Sequence, residues 1–194
     1  RLIIRHGLWR ALWKFQNLIA LFRRKSPSDP RNYREVHLTS QLSKCMERLL
    51  GELFLPYLNQ TVAYGPRQFA YCKQRSARDA TLYNTLKWLR SLSAGRRVAL
   101  FCSDVSGAFD HVSADRLLTK LRLKGIHPLL LNVLRSWLES RLTSVIVGGA
   151  SSDLFHILNS VFQGTVWGAS TVELFLRGRT RRGQLARLCR NGLC

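Results

Sequence analysis

The chain has 194 residues, of which 46% are hydrophobic and 22% are charged, so a buried core is possible and wholesale disorder is not expected. It carries 31 Lys and Arg against 11 Asp and Glu, a formal net charge of +20 at pH 7. This surplus favours nucleic acid as a partner, because each cation placed on a phosphate releases condensed counterions. An anionic membrane surface and a merely solubilising surface are the alternatives.

Five scattered cysteines without a Cys-x-x-Cys pair predict reduced thiols in a cytosolic or nuclear protein, rather than disulfides or a zinc site. No apolar run approaches the roughly 18 residues of a membrane span, and we expect no membrane partner. Residue 1 is Arg rather than Met. Residues 1–16 are therefore predicted to be the N-terminal edge of a larger protein.

The first predicted elements are a strand over residues 17–22, which runs into a basic loop, and a helix that starts near Leu42. Pro56 is expected to help end this helix. Its apolar stripe consists of Leu42, Met46, Leu49, Leu50, Leu53 and Tyr57.

A second helix is predicted to begin at Ser76, which has Asp79 three residues later as in a capping box, and to end at Gly95. Its apolar positions are Leu82, Leu86, Trp88, Leu89 and Leu92. The continuous apolar run at 98–102 then predicts a strand buried on both faces.

Two further helices and a hairpin are predicted after this strand. Ser113 can cap the first helix, which Gly125 stops, and Pro128 stands in the first turn of the second. Residues 144–147 and 154–158 predict a strand pair around Gly148 and Gly149. The sequence 177–194 holds six Arg and no acid, unlike the composition before it.

The predicted strand at 98–102 delivers Asp104 at its end, followed by a turn of small residues. Oxygen ligands from Asp104 and from the backbone just after it would suit Mg²⁺. The alternative is that Asp104 and Asp110 only cap the next helix. We favour the metal site because the strand exit, the basic surroundings and Phe109 all agree with it.

Two other segments have a chemical interpretation. Residues 68–79 interleave cations with aromatic residues before a helix N-terminus, which could bind a triphosphate or a nucleic-acid backbone, although basic loops are usually solvated. Gln163 and Gly164 stand in a predicted turn before a helix, where backbone can approach a ligand closely, although without context this is an ordinary loop.

The order of these segments resembles the reverse transcriptases of non-LTR (LINE-like) retrotransposons. Residues 29–40, followed by the Ser-Lys and Glu-Arg-Leu of residues 43–49, are similar to the family's opening motif "DPxNYRPIsLtSxxSKxxErl". Residues 68–79 are similar to "QFGFRKGRSTxDA", residues 103–112 match "xDxSKAFDxV", and residues 160–169 match "GVPQGSVLSP". Four motifs in this order across residues 17–170 make the resemblance specific.

The resemblance implies an RNA-directed DNA polymerase with an RNA template, a DNA primer and deoxynucleoside triphosphates as partners, and Mg²⁺, or Mn²⁺, as cofactor. Asp104 would be the catalytic carboxylate, and the carbonyl of Val105 would be a second metal ligand. Lys73 and Arg75 would bind the incoming nucleotide. It also implies a ribonucleoprotein found in the nucleus and the cytoplasm.

In the same family, Phe109 corresponds to the aromatic gate that excludes a ribose 2′-hydroxyl. Here it could instead be a core aromatic. Gln163 and Gly164 would lie along the template and the nascent base pair. The sequence departs from the family pattern at five positions, which are Glu35, Cys72, Gln74, Gly107 and Phe162.

The largest departure is the missing aromatic-Ala-Asp-Asp motif, since the sequence contains no Asp-Asp pair and its only acid after Ser170 is Glu173. We therefore expect an inactive fragment. The alternatives are a non-catalytic, basic nucleic-acid-binding remnant and a basic structural protein.

The resemblance implies an α+β fold, an incomplete right-hand polymerase with an RNP-like antiparallel sheet and packed helices. The expected organisation is fingers over residues 17–95, a partial palm over 96–172, and an Arg-rich tail over 173–194 that is out of frame or disordered.

Overall fold

The structure, a computed structural model, describes residues 2–23, 26–72, 74–100, 102, 105, 107–157 and 161–176. Within these residues, seven α-helices and five β-strands form a mixed α/β fold, which agrees with the predicted α+β class at this coarse level. The helices are α1 (Leu2–His6), α2 (Gln41–Gly51), α3 (Leu55–Gln60), α4 (Ala77–Ser93), α5 (Ala114–Leu123), α6 (Pro128–Leu138) and α7 (Gly168–Leu176). The strands are β1 (Phe15–Phe22), β2 (Tyr33–Thr39), β3 (Arg141–Val147), β4 (Ala150–Ser151) and β5 (Phe155–Ile157).

The sheet is mixed, whereas the resemblance implied an RNP-like antiparallel sheet. Its order is β2-β1-β3-β4, and β5 also pairs with β3. β1 pairs antiparallel with β2 but parallel with β3. A parallel pair needs a long crossover. Here the chain from residue 23 to residue 140 supplies it, and the register places Gln16 beside Thr143.

The strand predicted at 17–22 is confirmed. A hairpin also forms around Gly148 and Gly149 as predicted, but its pairing differs, since residues 155–157 pair with residues 141–143 and residues 146–147 pair with β4. β1 includes residues 17–22, and β3 pairs antiparallel with β5. The two-residue strand β4 forms the tight hairpin with β3. Gly148 and Gly149 both have positive φ (58° and 85°), which glycine adopts without the steric cost that other residues would incur.

The predicted starts and stops of α4 are confirmed. The Ser76 hydroxyl accepts from the Asp79 N–H, and the Asp79 carboxylate accepts from the Ser76 N–H, so the capping box is complete. At the other end, Gly95 has φ +68° and the Arg96 N–H donates to the Ser91 carbonyl, as in a Schellman motif.

The predicted helices α5 and α6 are also confirmed, and leucine side chains of both pack in the core. Gly125, with φ +83°, follows the end of α5, and Pro128 stands in the first turn of α6. The buried leucines of α5 are Leu117, Leu118 and Leu121.

The buried face of α2 differs from the predicted apolar stripe. Leu42, Leu49 and Leu53 are exposed, whereas Ser43 and Glu47 are buried. The reason is that the polar face of this helix meets hydrogen-bonding partners in neighbouring segments. Pro56 also lies at the start of α3 rather than at the end of a longer helix.

The predicted buried strand at 98–102 is wrong for the residues that the structure describes there. Val98, Ala99, Leu100 and Cys102 are exposed and not in a strand. A strand buried on both faces needs hydrogen-bonded neighbours on both sides, and the sheet includes none of these residues.

The core lies between α2, α3, α5, α6 and α7. Trp167 is 1% exposed, and its ring contacts Trp9, Phe54 and Trp137 edge-on at centroid distances of 5.1 to 5.5 Å. Such aromatic contacts stabilise a core beyond the area that they bury. In the part of the chain that the structure describes, no helix has the length and apolarity to cross a membrane.

Candidate active site

Two of the predicted site residues, Asp104 and Lys73, lie outside the described residues. Val105, the predicted second metal ligand, is 38% exposed. Among the described residues, no group of three or more His, Cys, Asp and Glu could hold a metal ion. The Mg²⁺ prediction depends on Asp104, which lies outside these residues, and so it stays a prediction.

Gln163 and Gly164 lie in a turn that rests on β2. The Phe162 ring stacks on the His37 ring at a centroid distance of 4.9 Å and an interplanar angle of 14°. Gly164 has φ +99°, and a Cβ there would lie 3.4 Å from the His37 carbonyl oxygen. The positive φ favours glycine, whereas the distance to His37 is an ordinary van der Waals contact. The predicted turn before a helix is confirmed, since α7 begins at Gly168.

Phe109 lies next to the start of the same turn. The Val161 N–H donates to the Phe109 carbonyl at 2.9 Å. The Phe109 side chain is half-buried and packs against the core. This packing agrees with the alternative that Phe109 is a core aromatic, and it leaves part of the ring accessible.

Glu47 of α2, to which the sequence assigned no role, binds the other end of the turn. Its carboxylate accepts from the Val166 N–H at 2.6 Å, the Trp137 indole N–H at 3.2 Å and the Ser43 hydroxyl at 3.3 Å. Its backbone carbonyl accepts from the Trp167 indole N–H at 2.6 Å. Burial raises the pKa of the Glu47 carboxyl, while these donors favour the ionised form.

Arg141, at the start of β3, is a second buried charge that the sequence did not predict. Its guanidinium lies over the Phe162 ring at 4.2 Å and over the Trp137 ring at 4.5 Å. Its Nε also donates to the Trp137 carbonyl at 2.8 Å. Burial lowers the pKa of Arg141 to about 9, and the charge of Glu47 opposes this shift.

His37 is 3% exposed, on the face of the sheet that meets the turn. Burial, and then the charge of Arg141, lowers the pKa of His37 to about 4. The Glu35 carboxylate lies 3.6 Å from His37 Nε2 and would favour a charged ring, but Glu35 is half exposed and its effect is smaller. Burial, and then the charge of Asp110, raises the pKa of the Glu35 carboxyl.

Arg75 is exposed but already has partners within its own loop. It donates to the carbonyls of Pro66 and Gln68 at 2.9 and 2.6 Å, and it lies 5.8 Å from the centre of the Phe69 ring. These contacts show that Arg75 shapes the loop of residues 66–75. They connect it to none of the other predicted site residues.

Three of the four motif segments therefore meet. Residues 29–49, the segment at Phe109 and the turn 161–167 share hydrogen bonds and ring contacts. The only sequence signal for Glu47 was its spacing of four positions from Ser43 inside a family motif. Such a pair predicts one helix face but not what that face contacts.

The chain is similar to three transposon proteins. It is 29% identical over 171 residues to "RNA-directed DNA polymerase from mobile element jockey" of Drosophila melanogaster, which covers 87% of this chain and 18% of that protein. The jockey protein of Drosophila funebris is 29% identical over 152 residues, with 78% and 16% covered. "Probable RNA-directed DNA polymerase from transposon BS" of Drosophila melanogaster is 26% identical over 174 residues, with 89% and 19% covered.

No family model matches the chain. The three proteins nevertheless confirm the resemblance predicted from the four motifs, since two are named RNA-directed DNA polymerases of a mobile element and the third a probable RNA-directed DNA polymerase of a transposon. The chain spans less than a fifth of the length of each of them.

Proposed function

We propose that the chain is a fragment of a retrotransposon reverse transcriptase, with fingers at residues 17–95 and part of the palm at 96–172. The observation that supports this most directly is the joining of three separate motif segments around the turn 161–167. Segments so far apart in sequence have no local reason to meet. Their meeting is expected if they build one substrate-binding surface, as the similarity to the three polymerases suggests.

The proposed roles follow the family motifs. Asp104 and the Val105 carbonyl would hold Mg²⁺, or Mn²⁺, which supplies charge stabilisation for phosphoryl transfer. Lys73 and Arg75 would bind the phosphates of a deoxynucleoside triphosphate. We expect Arg75 to do so while it also holds its loop, because a guanidinium has five N–H donors.

The remaining roles concern the sugar and the template. Phe109 would face the sugar of the nucleotide with the exposed part of its ring. Gln163 and Gly164 would lie along an RNA template paired with a DNA primer. The exposed Gly164, which has no side chain, would let a base pair approach the backbone closely.

We further propose that these 194 residues do not polymerise DNA by themselves. Two divalent cations held close together need several anionic oxygens. Asp104 is one such ligand, and the sequence has no Asp-Asp pair that could supply the others. Losses of several orders of magnitude are usual when a core catalytic group is missing.

A primer-extension assay with poly(rA)–oligo(dT) and Mg²⁺ or Mn²⁺ tests both proposals. The chain alone should give no product. A chimera that continues into the corresponding C-terminal part of the Drosophila melanogaster jockey protein should extend the primer, and Asp104→Asn should abolish this extension. Asp110→Asn is the matched control, because it removes an exposed carboxylate six positions away. Equal activity of the two variants would contradict the role of Asp104, and metal-dependent product from the chain alone would contradict the proposed inactivity.

A non-catalytic, basic nucleic-acid-binding protein is the second candidate, and the charge of the chain favours it. Without residues 177–194 the sequence still has 25 cations against 11 acids, or +14, so binding would not depend on the Arg-rich tail. Binding to single-stranded RNA should weaken steeply between 50 and 200 mM salt, by about a factor of 300 if six phosphates are contacted. Affinity that stays flat across this range, measured by fluorescence anisotropy, would contradict both candidates.

A further inference from the structure

The turn 161–167 is held at both ends by buried side chains of opposite charge. On one side, Glu47 accepts from the Val166 N–H. On the other side, Arg141 lies over the ring of Phe162. Gln163 and Gly164 stand between these two points, so the two contacts together limit where they can lie.

Glu47 suits this position because both of its carboxylate oxygens accept hydrogen bonds. Oε1 accepts from Trp137 and Ser43, and Oε2 accepts from Val166. A glutamine has the same shape but only one acceptor oxygen. Its NH₂ group would face either the Trp137 indole N–H or the Val166 N–H, and one of these buried donors would lose its partner.

Arg141 and Trp137 link the two ends of the turn. The Trp137 indole N–H donates to Glu47, and its carbonyl accepts from Arg141 Nε. Opposite charges in a poorly solvated environment attract strongly, and the hydrogen bonds compensate part of the cost of burying them. Gly51, one turn after Glu47 on α2, leaves room for this arrangement, since a Cβ there would lie 3.1 Å from Trp167 Nε1.

We propose that Glu47 is a positioning residue for the turn that carries Gln163 and Gly164, and that Arg141 is its counterpart on the opposite side. Glu47 sets the backbone path at Val166, and Arg141 sets the ring of Phe162. Neither residue touches a substrate. Their consequence for template binding rests on the proposed function of the turn.

Hydrogen exchange of the Val166 amide in the full chain, measured by NMR, tests Glu47 directly. Glu47→Gln should speed this exchange about tenfold to hundredfold, the factor expected for a lost hydrogen bond to a charged acceptor. It should also shift the indole N–H resonance of Trp137. Glu52→Gln, the same substitution at the exposed end of α2, should change neither.

A second control separates positioning from general destabilisation. Leu121→Ala removes a buried side chain of α5 and should speed exchange across the whole core, not at Val166 in particular. If Glu47→Gln prevents folding, Ser43→Ala is the milder variant, because it removes one donor to the carboxylate and almost no volume. The proposal would be overturned if, in both Glu47→Gln and Ser43→Ala, exchange of the Val166 amide speeds up only as much as the loss in global stability predicts.

Template binding separates this inference from the proposed function. If both hold, Glu47→Gln and Gln163→Ala should each weaken binding of an RNA–DNA primer–template. The double variant should then bind about as tightly as whichever single variant binds less tightly, since both substitutions act through one turn. Faster Val166 exchange with unchanged affinity in all variants would support Glu47 as the positioning residue and would contradict the template role of the turn.

Discussion

Helices α5 and α4 carry similar leucine patterns but lie in opposite environments. Leu117, Leu118 and Leu121 of α5 are buried, whereas Leu82, Leu86, Leu89 and Leu92 of α4 are each about half exposed. At the helix N-termini it is α4, not α5, that has the stabilising side-chain contacts. α4 has a complete capping box, whereas Ser113 at the start of α5 makes no side-chain capping hydrogen bond.

This contrast separates two sources of helix stability. α4 is specified by local chemistry, that is, by its capping box, its left-handed Gly95 and its residue propensities. α5 is specified by the elements that it packs against, mainly α6 and α7. An apolar period predicts that a helix forms, but burial depends on a facing element that the period does not reveal.

The largest expected effect comes from the same substitution in the two helices. Leu121→Ala in α5 should lower the free energy of unfolding by about 2–5 kcal/mol, because it leaves a cavity in the core. Leu86→Ala in α4 should change it by less than about 0.5 kcal/mol, because the side chain is 49% exposed. Urea unfolding followed by tryptophan fluorescence measures both values. Similar losses would mean that α4 is packed in solution.

A smaller effect, confined to the packed region, is expected from the buried His37. Its pKa is about 4 in the folded state and about 6.5 when unfolded, so the unfolded state binds more protons between these values. The contribution of the neutral His37 ring to the free energy of unfolding is complete above pH 6.5. It is lost as the pH falls towards 4, by about 3 kcal/mol in total.

Unfolding measured from pH 7 to pH 4.5 tests this in comparison with His37→Phe, which keeps a ring on Phe162. The difference in stability between the two proteins should shift in favour of the variant as the pH falls. His156→Gln, at an exposed position of β5, should show the same pH dependence as the unsubstituted chain. Parallel curves for all three proteins would show that His37 is not buried as a neutral ring.

The smallest effect should come from the cap of α4. Ser76→Ala removes the acceptor for the Asp79 N–H and should speed amide exchange in the first turns of α4 about fivefold. Global unfolding should stay unchanged, because no residue of α4 is buried. Ser113→Ala in α5 is the matched control and should have little effect on exchange. A loss of global stability in Ser76→Ala would show that α4 unfolds together with the core.

The sequence was sufficient wherever local chemistry decides the structure. It predicted α4 from Ser76 and Asp79, the first turn of α6 from Pro128, and the hairpin from Gly148 and Gly149. The resemblance to reverse transcriptases was also predictable, because it depends on motif order alone.

The sequence was insufficient wherever distant segments decide the structure. The exposed leucines of α2 predicted the wrong buried face, since the partners of Glu47 lie about 90 and 120 residues further along the chain. The run at 98–102 predicted a buried strand, but apolar residues form a strand only if neighbouring strands pair with them. The turn 161–167 was predicted, but its contacts with Glu47 and Arg141 were not, because no sequence pattern shows which distant segment a buried Glu or Arg will contact.

The parallel pairing of β1 with β3 also affects the order in which the protein can fold during its synthesis. Gln16 and its hydrogen-bond partner Thr143 are 127 residues apart. β2 leaves the ribosome soon after β1 and can pair with it at once, but the other edge of β1 must wait until β3 has been translated. During that interval β1 is an open edge strand, which is a template for association with other chains. The nascent chain is therefore most vulnerable to aggregation before β3 emerges.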